Sequence, residues 1–223
     1  MSAEAQPAAR QSPERQWWLR ALAVVVSPRP VFAALRNESK REVEAREEPV
    51  LALVILAGIA GILLAPDAGR LLDEELAGDS ALVLAVLVFL SGAAYGIATY
   101  WIGGAFLWIG LRGAGSRGTY RRARHVFAFA AAPLALGLLV VWPLRLLVHG
   151  MDTFRTGGAD EGLGATLFNG ASTAFALWAL GLLVYGISVL ERWSLLRAAV
   201  SVALAVLAVL ILTFPLVIPL SSR

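Results

Sequence analysis

The sequence predicts an all-α fold, a polytopic membrane helix bundle of five transmembrane helices with short interfacial helices at the N-terminus. Three observations carry that reading. Apolar residues make up 58% of the 223 residues and mean hydropathy is +0.72, against about 45–50% apolar residues in an average soluble domain. Five stretches, uncharged but for Arg145 near the end of the third, are long enough to cross a bilayer. Arg and Lys gather between alternate stretches, the bias that orients membrane proteins.

The formal charge of +3 and the pI near 9.8 would in a soluble chain suggest a nucleic-acid partner. Here the arginines stand beside apolar runs, so the excess reads as topology and no nucleic acid is expected. The chain has no cysteine, which excludes disulfides, thiolate metal sites and cysteine nucleophiles. Lys40 is the only lysine, a bias associated with GC-rich bacterial genomes and hence with a bacterial inner membrane. Before the first long run the longest apolar core is Ala21 to Val26, short of the about 7–15 residues of a secretory signal, so no cleaved signal is predicted.

In chain order, residues 1–16 are polar and aperiodic and read as a disordered tail. Residues 17–48 read as cytoplasmic or interfacial helices. Trp17 and Trp18, flanked by Arg15 and Arg20, are expected as interfacial anchors, with packing against the bundle as the alternative. Pro30 opens a second short helix whose Val31, Phe32 and Leu35 share a face. Ser39 to Glu42 matches a capping box, and Lys40–Glu44 and Glu42–Arg46 are spaced for pairing on a short solvated helix that ends at Glu48.

Residues 49–223 form the transmembrane domain. Pro49 to Ala65 has 17 residues without a charge, about 25 Å of helix. An acidic loop, Asp67 to Ser80, follows. The second span, Ala81 to Leu111, is 31 residues, about 46 Å against a hydrocarbon core of about 30 Å, so it tilts, projects or breaks, with Gly103-Gly104 as its weak point. Gly92 and Gly96 have the spacing of a close helix contact, either internal or with a second copy in a homo-oligomer. The third span, Val126 to Val148, contains Pro133 and Pro143 and should kink twice, with Arg145 snorkelling at its outer end. A glycine-rich loop, His149 to Gly164, leads to the fourth span, 165–190. The fifth, 198–220, is expected to break near Pro215 and Pro219.

Counted by side, fifteen Arg and Lys fall in the N-terminal segment and the loops after spans two and four, and four fall in the others. This predicts a multi-pass cell-membrane protein with its N-terminus cytoplasmic and its C-terminus outside.

Chemistry is sparse. The spans contain no Asp, Glu, Lys or His, which proton relays and ion-coupled carriers need. Gly170-Ala171-Ser172 with His149 makes a weak serine-protease pair, because His149 stands in an outer loop. His125, among arginines, reads as a solvated loop residue. No metal-ligand spacing and no phosphate-cradling glycine loop occurs. The expectation is therefore no enzyme, no catalytic residue, no metal and no cofactor.

Gly113-Ala114-Gly115-Ser116-Arg117-Gly118-Thr119-Tyr120-Arg121-Arg122, followed by Phe127-Ala128-Phe129-Ala130 and Pro133-Leu134, resembles the loop-and-helix signature of the YIP-domain (Ypt-interacting protein) family. Ser27-Pro28-Arg29-Pro30-Val31-Phe32 is similar to that family's proline-aromatic entry. The matching positions are Pro28, Phe32, Gly115, Ser116, Tyr120 and Pro133. The resemblance implies five spans with a cytoplasmic N-terminus and, from the eukaryotic members, binding of prenylated Rab-type GTPases. This chain differs in its short tail and arginine-rich composition. The expected role is a non-enzymatic membrane organiser or scaffold presenting a basic cytoplasmic face. Arg117, Arg121, Arg122 and Arg124 would contact anionic lipid or a cytoplasmic protein beyond the surrounding bilayer. The alternative is a permease component or channel-like carrier, which requires Ser91, Thr99, Asn169, Ser172 and Thr173 to line one polar path.

Overall fold

Proline in the first turn starts both N-terminal helices, and a polar side chain caps the first. In a computed structural model, which describes residues 12–64, 81–150 and 162–221, α1 runs Pro13–Ala23, with Ser12 accepting the Arg15 N–H at its start. Helix α2 is Pro28–Ala34 and begins on Pro28 rather than Pro30. Residues 13–16, expected in the tail, belong to α1. Residues 1–11 of the tail, the acidic loop and most of the glycine-rich loop lie outside the described residues.

Helix α3, Lys40–Leu64, is continuous through a buried Pro49. The expected solvated helix and first span are thus one element. At its start Asn37 Oδ1 accepts the Ser39 N–H in place of the expected capping box. Lys40 and Glu44 pair at 3.8 Å in solvent, whereas Glu42 and Arg46 turn to other partners.

Helix α4, Ala81–Gly113, spans 33 residues without a break. Gly103 and Gly104 do not interrupt it. They let α5, Tyr120–Ala130, approach: a Cβ on Gly103 would press on the Phe127 ring, and one on Gly104 would clash with the Arg124 stem. The arginines expected in a loop therefore sit largely on the first turns of α5. Pro133, with no N–H to give the previous turn, ends α5; the chain turns at Ala131 and resumes as α6, Ala132–His149, which stays helical through Pro143. Helix α7 is Gly162–Glu191 and α8 is Leu195–Ser221, helical past both late prolines.

Among the described residues four stretches are long and apolar enough to cross a membrane: Val86–Gly113, Tyr120–His149, Gly162–Glu191 and Leu195–Thr213. The expected first span is the second half of α3. Helix α4 is central, touching α3, α5 and α8, while α6 packs on α7 and α3. In lipid no hydrophobic drive brings apolar helices together, so small residues that admit close backbones decide where they meet. Gly58 of α3 meets Gly92 and Gly96 of α4 backbone to backbone, so the Gly92/Gly96 spacing serves an internal contact. Gly110 makes room in the same way for Ser201 and Ala205 of α8.

Replacing Gly96 by Leu should cost about 3 kcal/mol or more, since its Cβ alone would overlap the Val54 carbonyl oxygen. Gly181→Ala, where nothing stands within 4 Å, should stay within about 1 kcal/mol of the parent. Thermal unfolding in detergent separates the two.

Candidate functional site

The connector between α4 and α5 is ordered residue by residue. Gly115 adopts φ +90°, its N–H bonds the Arg112 carbonyl at 2.9 Å, and the Ser116 N–H reaches the Leu111 carbonyl at 2.9 Å. That pair of bonds closes the end of α4 as a Schellman motif, which favours glycine at this position. Buried Ser116 accepts the Gly118 N–H at 2.9 Å, and Trp108 Nε1 donates to the Gly118 carbonyl at 3.3 Å. Thr119 caps α5 by accepting the Arg122 N–H, and the Tyr120 hydroxyl donates to the Trp101 carbonyl at 2.7 Å. Gly115, Ser116 and Tyr120 therefore carry local structure. Arg117 points into solvent.

Arginines then tie the helix ends together. Arg197, at the start of α8, donates from Nε and Nη2 to the Ala114 carbonyl at 3.1 and 2.7 Å, with its guanidinium 4.1 Å from the Trp193 ring. Arg36 donates to the Leu190 carbonyl at 3.0 Å and to that of Val189, closing the last turn of α7. A cation there also opposes the negative helix end. Arg122 pairs with Glu38 at 2.9 Å, and Thr119 Oγ1 donates to the same carboxylate at 2.5 Å.

Arg46 is fully buried. Its Nη1 donates to the Asn37 carbonyl at 3.2 Å and weakly to that of Leu35, while Nε and Nη2 have no hydrogen-bond partner. Burial, only partly offset by Glu38 and Glu42, pushes its pKa down to about 10, so it stays protonated at neutral pH. Trp17 lies beside it, 0% exposed: its ring packs on Phe129 at 5.7 Å and its Nε1 donates to Glu42 at 2.9 Å. Burial in protein, not the interface, holds Trp17. Trp18 stays on the surface, 41% exposed. Phe32 fills the space left by Gly186 of α7, and Pro28 and Pro133 each stand in the first turn of a helix. Arg36, Arg197 and Glu38 were not singled out by sequence reasoning, and Arg46 only as a pairing partner for Glu42, because their partners are backbone carbonyls or residues far along the chain.

Arg121, Arg124 and His125 face a cavity of about 340 Å³ between α3, α4 and α5. The Arg124 guanidinium stands 3.6 Å from the Trp101 ring, 4.7 Å from Tyr120 and 5.1 Å from Tyr100. His125 is 3% exposed and its Nδ1 has no hydrogen-bond partner, so it is a buried wall residue and not a solvated loop residue.

Of the five polar residues needed for a carrier path, Asn169, Ser172 and Thr173 lie on α7 and Ser91 and Thr99 on α4. Ser91 and Thr173 are exposed and bond carbonyls of their own helices, Asn169 is exposed, and Thr99 borders a mostly apolar cavity of about 130 Å³. His149 packs edge-on against Phe168 at 5.6 Å. Arg145 is buried at the side of Trp142, 5.3 Å from its ring, instead of reaching outward. Among the described residues no group of three or more His, Cys, Asp or Glu is placed to hold a metal ion.

These placements divide the four connector arginines. Arg122→Gln breaks a half-buried charged pair and should cost about 1–3 kcal/mol. Arg117→Gln should stay within about 0.5 kcal/mol, as expected for an exposed side chain away from such features. Chemical or thermal unfolding of the two purified variants checks this, and equal losses would contradict the assignment.

Comparison with curated proteins and with solved structures gives no match. The model of the Yip1 domain matches residues 22–217, from the end of α1 through α2 and nearly the whole of the bundle, and the chain belongs to the Yip1-domain family.

Proposed function

We propose that this Yip1-domain protein is a non-enzymatic membrane organiser whose basic end is a preassembled docking face on the cytoplasmic side of the cell membrane. The observation that supports it is the fixing of that end. Arg36, Arg46, Arg122 and Arg197 join α2, α3, α4, α5, α7 and α8 where the polar connectors meet, so the exposed arginines stand on a rigid base. A preorganised surface loses less entropy on binding than a mobile one.

In this reading the chain crosses five times, through the second half of α3, then α4, α5–α6, α7 and α8, with the N-terminus inside and the C-terminus outside. Helix α1 lies in the membrane surface. Its Trp17 and Ala21 face protein, while Trp18, Leu19, Leu22 and the following Val26 are 41%, 49%, 76% and 80% exposed, a second apolar stripe suited to the headgroup boundary. Arg29, Arg41 and Arg117, all exposed, are the contacts for a cytoplasmic protein.

Reporter fusions after Asp73 and Arg223 should read as outside, and fusions after Gly118 and Arg192 as inside. A cytoplasmic signal at Arg223 would end the five-span arrangement. With Arg29, Arg41 and Arg117 changed together to Gln, threading and abundance should hold while proteins captured by cross-linking in native membranes decrease. An unchanged capture profile would remove the docking role.

A further inference from the structure

We propose that the cavity between α3, α4 and α5 binds an anionic membrane phospholipid, with Arg121 and Arg124 holding the phosphate and an acyl chain lying along Leu51, Val54 and Ile97. The proposal rests on the reading that the basic end lies at the membrane surface, and it assigns that surface a specific lipid.

The wall changes character along its length. Glu47, Leu51 and Val54 follow one another on α3 at helical spacing, so charge gives way to apolar surface within about 10 Å. On α4 the same passage runs from Trp101 to Ile97, one turn deeper. Leu51 and Ile97 are 50% and 41% exposed, so the cavity opens sideways onto the lipid-facing surface. A soluble anion would leave that apolar wall uncovered; an acyl chain covers it. The volume, about 340 Å³, falls within the ~300–1,000 Å³ of small-ligand sites and suits a headgroup with the first part of a chain.

The polar end is set up for phosphate. Arg121 is exposed, with no hydrogen bond or ion pair among the described residues, and it borders both this cavity and an adjoining one of about 420 Å³. The ring contacts of Arg124 fix its guanidinium, and its Nε has no hydrogen-bond partner. Cation–π contacts use the face of the fork and leave its edge for an anion. His125 is buried in the same wall with its Nδ1 unpartnered, and α5 begins close by, adding the positive end of a helix. Two carboxylates stand nearby. Glu38 is bonded to Arg122 and Thr119, and Glu47 is exposed at the mouth, leaving the two arginines in excess. Basic pockets between spans on the cytoplasmic side are where lipid headgroups bind.

The test uses the full chain purified in detergent, with binding of phosphatidylglycerol and phosphatidylcholine followed by native mass spectrometry. Phosphatidylglycerol should bind about tenfold or more tightly than phosphatidylcholine, and Arg121→Gln should remove most of that preference. Arg117→Gln, at another exposed arginine outside the cavity, should change it less than about twofold. Val54→Trp, which fills the apolar end, should also weaken binding, and millimolar glycerol 3-phosphate should not displace the lipid. Unfolding temperatures measured without lipid confirm that each variant is folded; if Val54→Trp is not, Ile97→Trp replaces it. Equal losses in the two arginine variants, or no preference between the lipids, would reduce the site to surface charge. Displacement by glycerol 3-phosphate with no effect of filling would make it a soluble-phosphate site; either result overturns the proposal. Because binding is read on purified protein, it can succeed while cross-linking finds no protein partner, or fail while the partner is found.

Discussion

The last carbonyls of a helix have no partner within it, and near a membrane they cannot all rely on water. At the basic end of this bundle arginines from distant segments satisfy them: Arg197 for α4, Arg36 for α7, Arg46 for the turn after α2. The bonds from Arg36 and Arg197 link residues 154 and 83 positions apart, so closing one helix end also fixes where another begins. Lysine could not substitute. Arg197 brings two N–H groups to a single carbonyl while its face covers Trp193, which needs a planar fork. The single Lys40 sits in solvent with Glu44. The arginine bias thus has a structural use at these positions, whatever its genomic origin.

Away from that end the helices are held differently. Many spanning side chains, among them Leu90, Trp101, Leu177 and Leu210, are exposed apolar groups, and contact depends on where backbones come close. Gly58 against Gly92 and Gly96 fixes the α3–α4 crossing, and Gly110 fixes α4 on α8. The bundle therefore has a polar end specified by long-range hydrogen bonds and an apolar body specified by the absence of side chains. The N-terminal helices bridge the two, with Trp17 against Phe129 and Phe32 against Gly186.

Much of this architecture could be read from the residues. Hydropathy shows helices that cross a membrane, and the buried face of Val31, Phe32 and Leu35 follows from spacing. Where the residues left alternatives open, or misled, a distant partner decided the outcome. Gly103-Gly104 suggests a break until Phe127 and Arg124 are seen packed on it. Trp17 fits a lipid anchor or a bundle contact until Glu42 and Phe129, far along the chain, are seen against it. Glu42 and Arg46 have pairing spacing, yet Trp17 and the Asn37 carbonyl claim them first. At the candidate site the clustering of Arg121 and Arg124 was legible from the sequence. Their separation from Arg117 and Arg122 was not, because it depends on Glu38 and on the aromatic rings of α4.

The family signature in the connector acquires a physical meaning from this. Gly115 provides a backbone conformation, Ser116 and Thr119 satisfy N–H groups, and Tyr120 closes onto Trp101; each is accounted for by the turn between two helices. Such a motif reports architecture and by itself implies no activity. Function is better sought where the architecture leaves a group unsatisfied at an accessible place. Arg121 meets that condition, beside an Arg124 already held by three rings and in a cavity whose other end is apolar. The connector that looks like the binding motif is then the frame, and the ligand belongs in the groove that the frame holds open.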